Sequence, residues 1–187
     1  MANHVNTHIH FERLNDAGVA KLKDLYSLIR EGESRDPCFG DLWGVIPEVS
    51  DSQEWMYENV GSKWCYFEDR GEDSMHLVSA WYYPEEGIAW LLKQLGEVDP
   101  DVLAHVTYED EMPNFFGCWF FDKDGIVDGH EWNDEEIQEI MKENIPELAE
   151  LNEEETERYW GLWSDNVWDV VYEAQYKVYQ SIKESLE

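Results

Sequence analysis

His4, His8 and His10 fall at even positions of the chain's opening segment, so a strand running from His4 to Leu14 would carry them on one face beside Asn6. Val5, Ile9 and Phe11 would take the other face. The imidazoles of His8 and His10 are near enough in sequence to share a metal ion if a third ligand came from elsewhere. No Cys-x-x-Cys or His-Glu-x-x-His spacing completes such a set. The row therefore reads as solvent-facing imidazoles, with no metal and no other cofactor expected. Asp122-Lys123-Asp124-Gly125-Ile126-Val127-Asp128 resembles a calcium loop at its start. An EF-hand needs an oxygen ligand at its fifth position, Gly at its sixth and Glu at its twelfth. This chain has Ile126, Val127 and Asn133 there, so a hairpin turn at Asp124-Gly125 fits better.

Glu109, Asp110 and Glu111 beside Tyr108 supply the residue types of an acid–base pair. Consecutive strand residues point in opposite directions, however, and a surface loop is the simpler reading. Trp64, Trp81, Trp90 and Trp119 have the chemistry to stack a base or a sugar, but aromatics in strands and helices are read as core. The nucleophile elbow, the phosphate-binding loop and the dinucleotide fingerprint are all missing from the sequence, so an enzyme is not expected.

The strongest chemical signal is charge. Against 43 Asp and Glu stand 13 Lys and Arg, a formal net charge of -30. Attraction to nucleic acid rests on Lys and Arg neutralising phosphates, so direct nucleic-acid binding is excluded, and an anionic membrane surface with it. Between Glu131 and Glu157 there are twelve acidic residues and one basic residue, Lys142. Glu135, Glu139 and Glu143 recur at i, i+4 and i+8, one column of a helix, with about 5–6 Å between neighbours. That spacing is comparable with the phosphate repeat of a nucleic-acid strand. Asp134, Glu135, Glu136, Glu139, Glu143, Glu147, Glu150, Glu153, Glu154, Glu155 and Glu157 are the candidate partner-binding residues.

The elements that would position these groups are legible in the hydrophobic pattern. After the first strand, Asn15 or Asp16 caps a helix carrying Val19, Leu22, Leu25, Tyr26 and Ile29, and Glu31-Gly32 stops it. Residues 33–58 form a long connection with one short helical turn near its end. Strands at 63–69 and 75–82, a helix at 84–95 and strands at 102–109, 115–122 and 126–132 follow. Asn133 then caps an acidic helix, and Pro146 ends it or opens the next. From Glu153 to Leu186, Trp160, Trp163, Val167, Val171, Ala174, Val178 and Ile182 form a broad apolar face, which must be buried against the sheet or another chain.

With 43% hydrophobic and 14% aromatic residues the chain folds despite its charge. Its odd count of cysteines, Cys38, Cys65 and Cys118, reads as free thiols of a reducing compartment. The N-terminal residues have neither a basic region nor an apolar run, so a cytoplasmic location is expected. The fold class is α+β: a ferredoxin-like antiparallel sheet with helices on one face over residues 1–132, and an acidic, aromatic-rich helical extension over 133–187 packed on it.

Asn3-His4-Val5-Asn6-Thr7-His8-Ile9, Phe39-Gly40-Asp41-Leu42-Trp43-Gly44-Val45-Ile46-Pro47 and Asn59-Val60-Gly61-Ser62-Lys63-Trp64, with the shorter Ser79-Ala80-Trp81 and Phe116-Gly117, resemble landmarks of YubB-like proteins. The resemblance covers roughly residues 1–130. It implies a ferredoxin-like domain and an origin in bacteriophages or conjugative plasmids, and it brings no activity or catalytic residues. The expectation is an accessory protein that binds a basic, nucleic-acid-binding host protein through its acidic surface, in its most specific form as a nucleic-acid mimic inhibiting a defence nuclease. The alternative is an assembly protein that self-associates, in its simplest form as a homodimer, through Trp160, Trp163, Val167 and Val171.

Overall fold

A computed structural model describes residues 3–28, 52–151 and 155–186. Six antiparallel strands form one sheet, in the order β2-β3-β1-β4-β5-β6. Strand β1 (His4–Arg13) lies between β3 (Ser74–Ala80) and β4 (Leu103–Asp110), β2 (Cys65–Arg70) is one edge, and β5 (Phe115–Asp122) and β6 (Gly125–Asn133) extend the other. The order β2-β3-β1-β4, with helix α1 (Asp16–Leu28) after β1 and α3 (Glu85–Gly96) after β3, is the split βαβ arrangement of a ferredoxin-like fold. The short helix α2 (Gln53–Asn59) lies between α1 and β2. Cys38, the Glu31-Gly32 stop and the Phe39–Pro47 segment lie outside the described residues.

Local chemistry sets most boundaries. Asn15 caps α1, its Oδ1 accepting from the amides of Ala17 and Gly18, both at 2.9 Å. The β5–β6 turn uses Lys123 and Asp124, and Gly125 follows with φ +120°, a conformation that glycine adopts without strain. The turn thus sits one residue earlier than the pattern indicated. Asn133 caps α4 (Asp134–Asn144) with a reciprocal capping box: its side chain accepts from Glu136 N, and Glu136 Oε2 accepts from Asn133 N at 3.0 Å. Pro146 opens a separate short helix, α5 (Pro146–Glu150), and α6 (Thr156–Leu186) spans about 46 Å at 1.5 Å per residue.

The pleat divides the strand residues between two cores. On one face Val5, Ile9, Phe11, Leu77, Val106, Tyr108 and Phe121 are buried with Leu22 and Leu25 of α1, Met56 of α2, and Ile88, Leu91, Leu92 and Leu95 of α3. On the other face Phe116, Cys118 and Trp132 are buried with Ile137 and Met141 of α4, Leu148 of α5, and Val167, Val170 and Val171 of α6. Helices therefore cover both faces: α1 to α3 roof one face of the ferredoxin-like strands, as expected, and the helical extension α4 to α6 packs on the opposite face at β5 and β6. The reason is β5, whose alternate residues are apolar in both directions. A strand of that kind is stable only when both faces are covered.

Two polar devices join the layers. The Gln175 side chain of α6, buried, donates to the carbonyls of Tyr108 and Gly117 at 3.2 and 3.1 Å. On the first face the Tyr108 ring passes over Gly117 and its hydroxyl donates to Glu131 of β6, which also accepts from Tyr82 at 2.7 Å. A Cβ at position 117 would collide with the Tyr108 ring. Gly117→Ala is accordingly expected to destabilise the fold by about 1–3 kcal/mol, read as a lower urea midpoint with an unchanged slope.

Candidate functional site

The acidic surface is built by burial on its reverse side. Ile137, Met141 and Leu148 anchor α4 and α5 to the second core, which turns Asp134, Glu135, Glu139, Glu143, Glu147 and Glu150 into solvent. The Glu135, Glu139 and Glu143 column is exposed along its length, and Glu157 extends the acidic surface onto the first turn of α6. Among the described residues no ion pair within 4.0 Å involves these seven carboxylates. Two other candidates are engaged locally. Glu136 closes the capping box and lies 3.6 Å from His130, and Glu155 lies 3.6 Å from Arg158. Glu153 and Glu154 lie outside the described residues.

The candidate self-association residues separate. Val167 and Val171 are enclosed in the second core, packed against the chain's own sheet. Trp163 is half-buried against that core, whereas Trp160 is 56% exposed one turn from Glu157. Of the four strand and helix tryptophans read as core, Trp90 and Trp119 do pack against the first core. Trp81 instead stands 48% exposed with φ +75°, a conformation costly for a residue with a Cβ.

A second region emerges where the covering helices stop. The β1–β3–β4 register places His8 opposite His76 and Thr107, His10 opposite His105, and Asn6 opposite Glu109, all on the face that carries α6 farther along the sheet. Five of the six histidines, all but His130, thus share one polar floor. A cavity of about 300 Å³ opens there, bounded by His8, His10, Asp69, Ser74, His76 and His105. The His8 and His76 rings stack with centroids 4.2 Å apart and planes 13° apart. His105 is held differently. It packs on Phe120 and Tyr179, and burial pushes its pKa down to about 4. Burial also pushes the neighbouring Cys118 thiol up to about 12, which leaves it unreactive near neutral pH. Sequence alternation marked the β1 histidines but carried no sign of His76, which reaches them only through a pairing across 68 residues.

Glu109 and Asp110, expected in a surface loop, are instead buried at 5% and 0% exposure, because β4 runs on to Asp110: Glu109 lies beneath α6, and Asp110 takes the opposite face, level with Val5. Asp110 accepts from the Asn114 amide at 2.8 Å and its side chain at 2.6 Å, tying off the β4–β5 connection. Burial raises its pKa, and burial pushes Glu109 up to about 7 despite help from Gln175.

Among the described residues no helix is long and apolar enough to cross a membrane. Comparison with family models, with curated proteins and with solved structures finds no match.

The folded state holds the Glu109 proton more tightly than the unfolded chain, so its contribution to stability is full below pH 4.5 and declines as pH rises through about 7. Glu109→Gln is expected to stabilise the protein by about 2–3 kcal/mol above pH 7. That gain should vanish below pH 4.5, which paired urea melts at the two pH values would check.

Proposed function

We propose that this chain is an accessory protein of a mobile element that binds a basic, nucleic-acid-binding host protein in the host cytoplasm, through the acidic surface of α4, α5 and the start of α6. The observation that carries the reading is the exposed, unpaired column of Glu135, Glu139 and Glu143, continued by Glu147 and Glu150, on helices anchored from behind by a packed core. A rigid array of carboxylates at helical spacing resembles the phosphate edge of a nucleic acid in charge and in repeat. Desolvated against Lys and Arg, it would compete for the groove that the partner keeps for DNA or RNA. A net charge of -30 would steer the encounter and make association fast and salt-sensitive. Trp160, exposed beside Glu157, supplies an aromatic surface on which an arginine of the partner can stack.

The resemblance to YubB-like proteins supports the mobile-element origin, and the ferredoxin-like strand order agrees with it. The role is one of binding, with inhibition of a defence nuclease as its most specific form. Self-association through α6 is the weaker reading, since Val167 and Val171 are already enclosed.

The test is an affinity pull-down from bacterial lysate at low and at moderate salt, run in parallel with the Glu135→Lys, Glu139→Lys, Glu143→Lys and Glu147→Lys combination. All four side chains are exposed, so the packed core is left intact, and a cooperative melting curve of the variant checks that it folds. The reading expects one nucleic-acid-binding protein retained by the wild type, weakened by salt and lost by the variant. Equal recovery by both proteins, or a bait that returns alone, would overturn it.

A further inference from the structure

The proposed partner surface leaves the histidine floor on the other half of the sheet without a role. We propose that His8 and His76 form a cross-strand chelate for a divalent transition-metal ion of the zinc class. The two residues sit directly opposite each other on antiparallel neighbours, β1 and β3, with their rings already parallel and 4.2 Å apart. Two imidazole nitrogens sharing a tetrahedral ion at about 2.0–2.1 Å stand about 3.3 Å apart, and the rings leave their stacked arrangement by turning about Cβ–Cγ so that their in-plane lone pairs converge on the ion. Because the strands hold the two Cα positions, little chain entropy is lost when the ion binds.

The surroundings favour such an ion. Asn6 Oδ1 lies 3.4 Å from His76 Nε2; in the tautomer that carries its proton on Nε2, His76 donates to Asn6 and keeps the Nδ1 lone pair for an ion. This is the support that a metal-ligating histidine ordinarily receives from its outer nitrogen. Desolvation, followed by the neighbouring His76, lowers the His8 pKa. The cavity of about 300 Å³ in front of the pair has room for the ion and the waters that complete its coordination. Among the described residues no three His, Cys, Asp or Glu side chains converge on one ion, so the ion would rest on two protein ligands with an open coordination sphere.

Charge and ligand type then select the ion. A net charge of -30 concentrates cations around the chain, and the cavity lining holds Asp69 as well as Arg70. Exposed carboxylates elsewhere take Mg²⁺ and Ca²⁺ loosely through oxygen, whereas paired imidazoles prefer zinc, copper or nickel. His10 and His105 also face each other across β1 and β4, but His105 is packed beneath Phe120 and Tyr179 and is not free to turn.

Isothermal titration with ZnCl₂ near neutral pH, in excess MgCl₂ to occupy the carboxylates, tests the site. The wild type is expected to show a zinc site that survives the magnesium. His8→Ala, His76→Ala and the double variant should each weaken it by a similar factor, roughly tenfold or more, because both ligands serve one ion. His130→Ala on β6 should leave it unchanged, and His76→Gln provides a second variant that preserves side-chain volume. Absence of zinc binding under excess magnesium, or wild-type zinc binding by the double variant, would overturn the proposal.

Discussion

Strand β5 sets the constraint on which the rest of this structure depends. Phe116, Cys118 and Phe120 point to one side of the sheet, and Trp119 and Phe121 to the other. Leaving either set in water would cost roughly 25 cal/mol for each Å² of apolar surface. The helices α1 to α3 cover the first set through the ferredoxin-like crossovers, which makes α4 to α6 the cover for the second. Once those helices commit their apolar stripes inward, their carboxylates have nowhere to go but outward. The acidic surface is thus a consequence of packing as much as of composition.

The same cover is partial. Helix α6 packs along β5 and β6, touches β4 through Gln175 and Tyr179, and reaches β1 only at its end, where Lys183 donates to Glu12 at 3.0 Å and Arg13 donates to the Leu186 carbonyl at 3.0 Å. The β3 and β1 half of that face keeps its polar residues in solvent, which is why strand positions that would otherwise be apolar are His8, His10 and His76. At the boundary the chain buries Glu109 beneath α6, a costly placement that Gln175 only partly offsets. Gln175 also satisfies carbonyls of β4 and β5 at once, so one side chain fixes the helix against the sheet.

Most elements were legible from residue periodicity, because the strands alternate and the helices carry their own caps. Asn15 and Asn133 mark their helices by the same chemistry in sequence and in structure, and the order of elements sufficed for a ferredoxin-like sheet. The placement of α4 to α6 on the second face was not inferred, although Phe115-Phe116-Gly117-Cys118-Trp119-Phe120-Phe121 carries the signal: an unbroken apolar run belongs to a strand buried on both sides. The acidic column on α4 was visible because i, i+4 spacing is local. The His8–His76 pair and the burial of Glu109 were not, since both depend on which distant segment becomes the neighbour. Glu136 and Glu155 looked equivalent to the other acids in sequence, yet capping geometry and an arginine one turn away occupy them.

Two candidate surfaces result from one packing decision, an acidic array seated on the second core and a histidine floor left beside it. Both require α4 to α6 to be a rigid part of the domain. Native-state hydrogen exchange followed residue by residue tests that requirement most directly. The account predicts that the amides of α6 around Val167 to Gln175 exchange with the same opening free energy as the central residues of β5, as one cooperative unit. Exchange of α6 by an opening several kcal/mol easier than that of β5 would contradict it, and would make the acidic helices an appendage in place of a scaffolded surface.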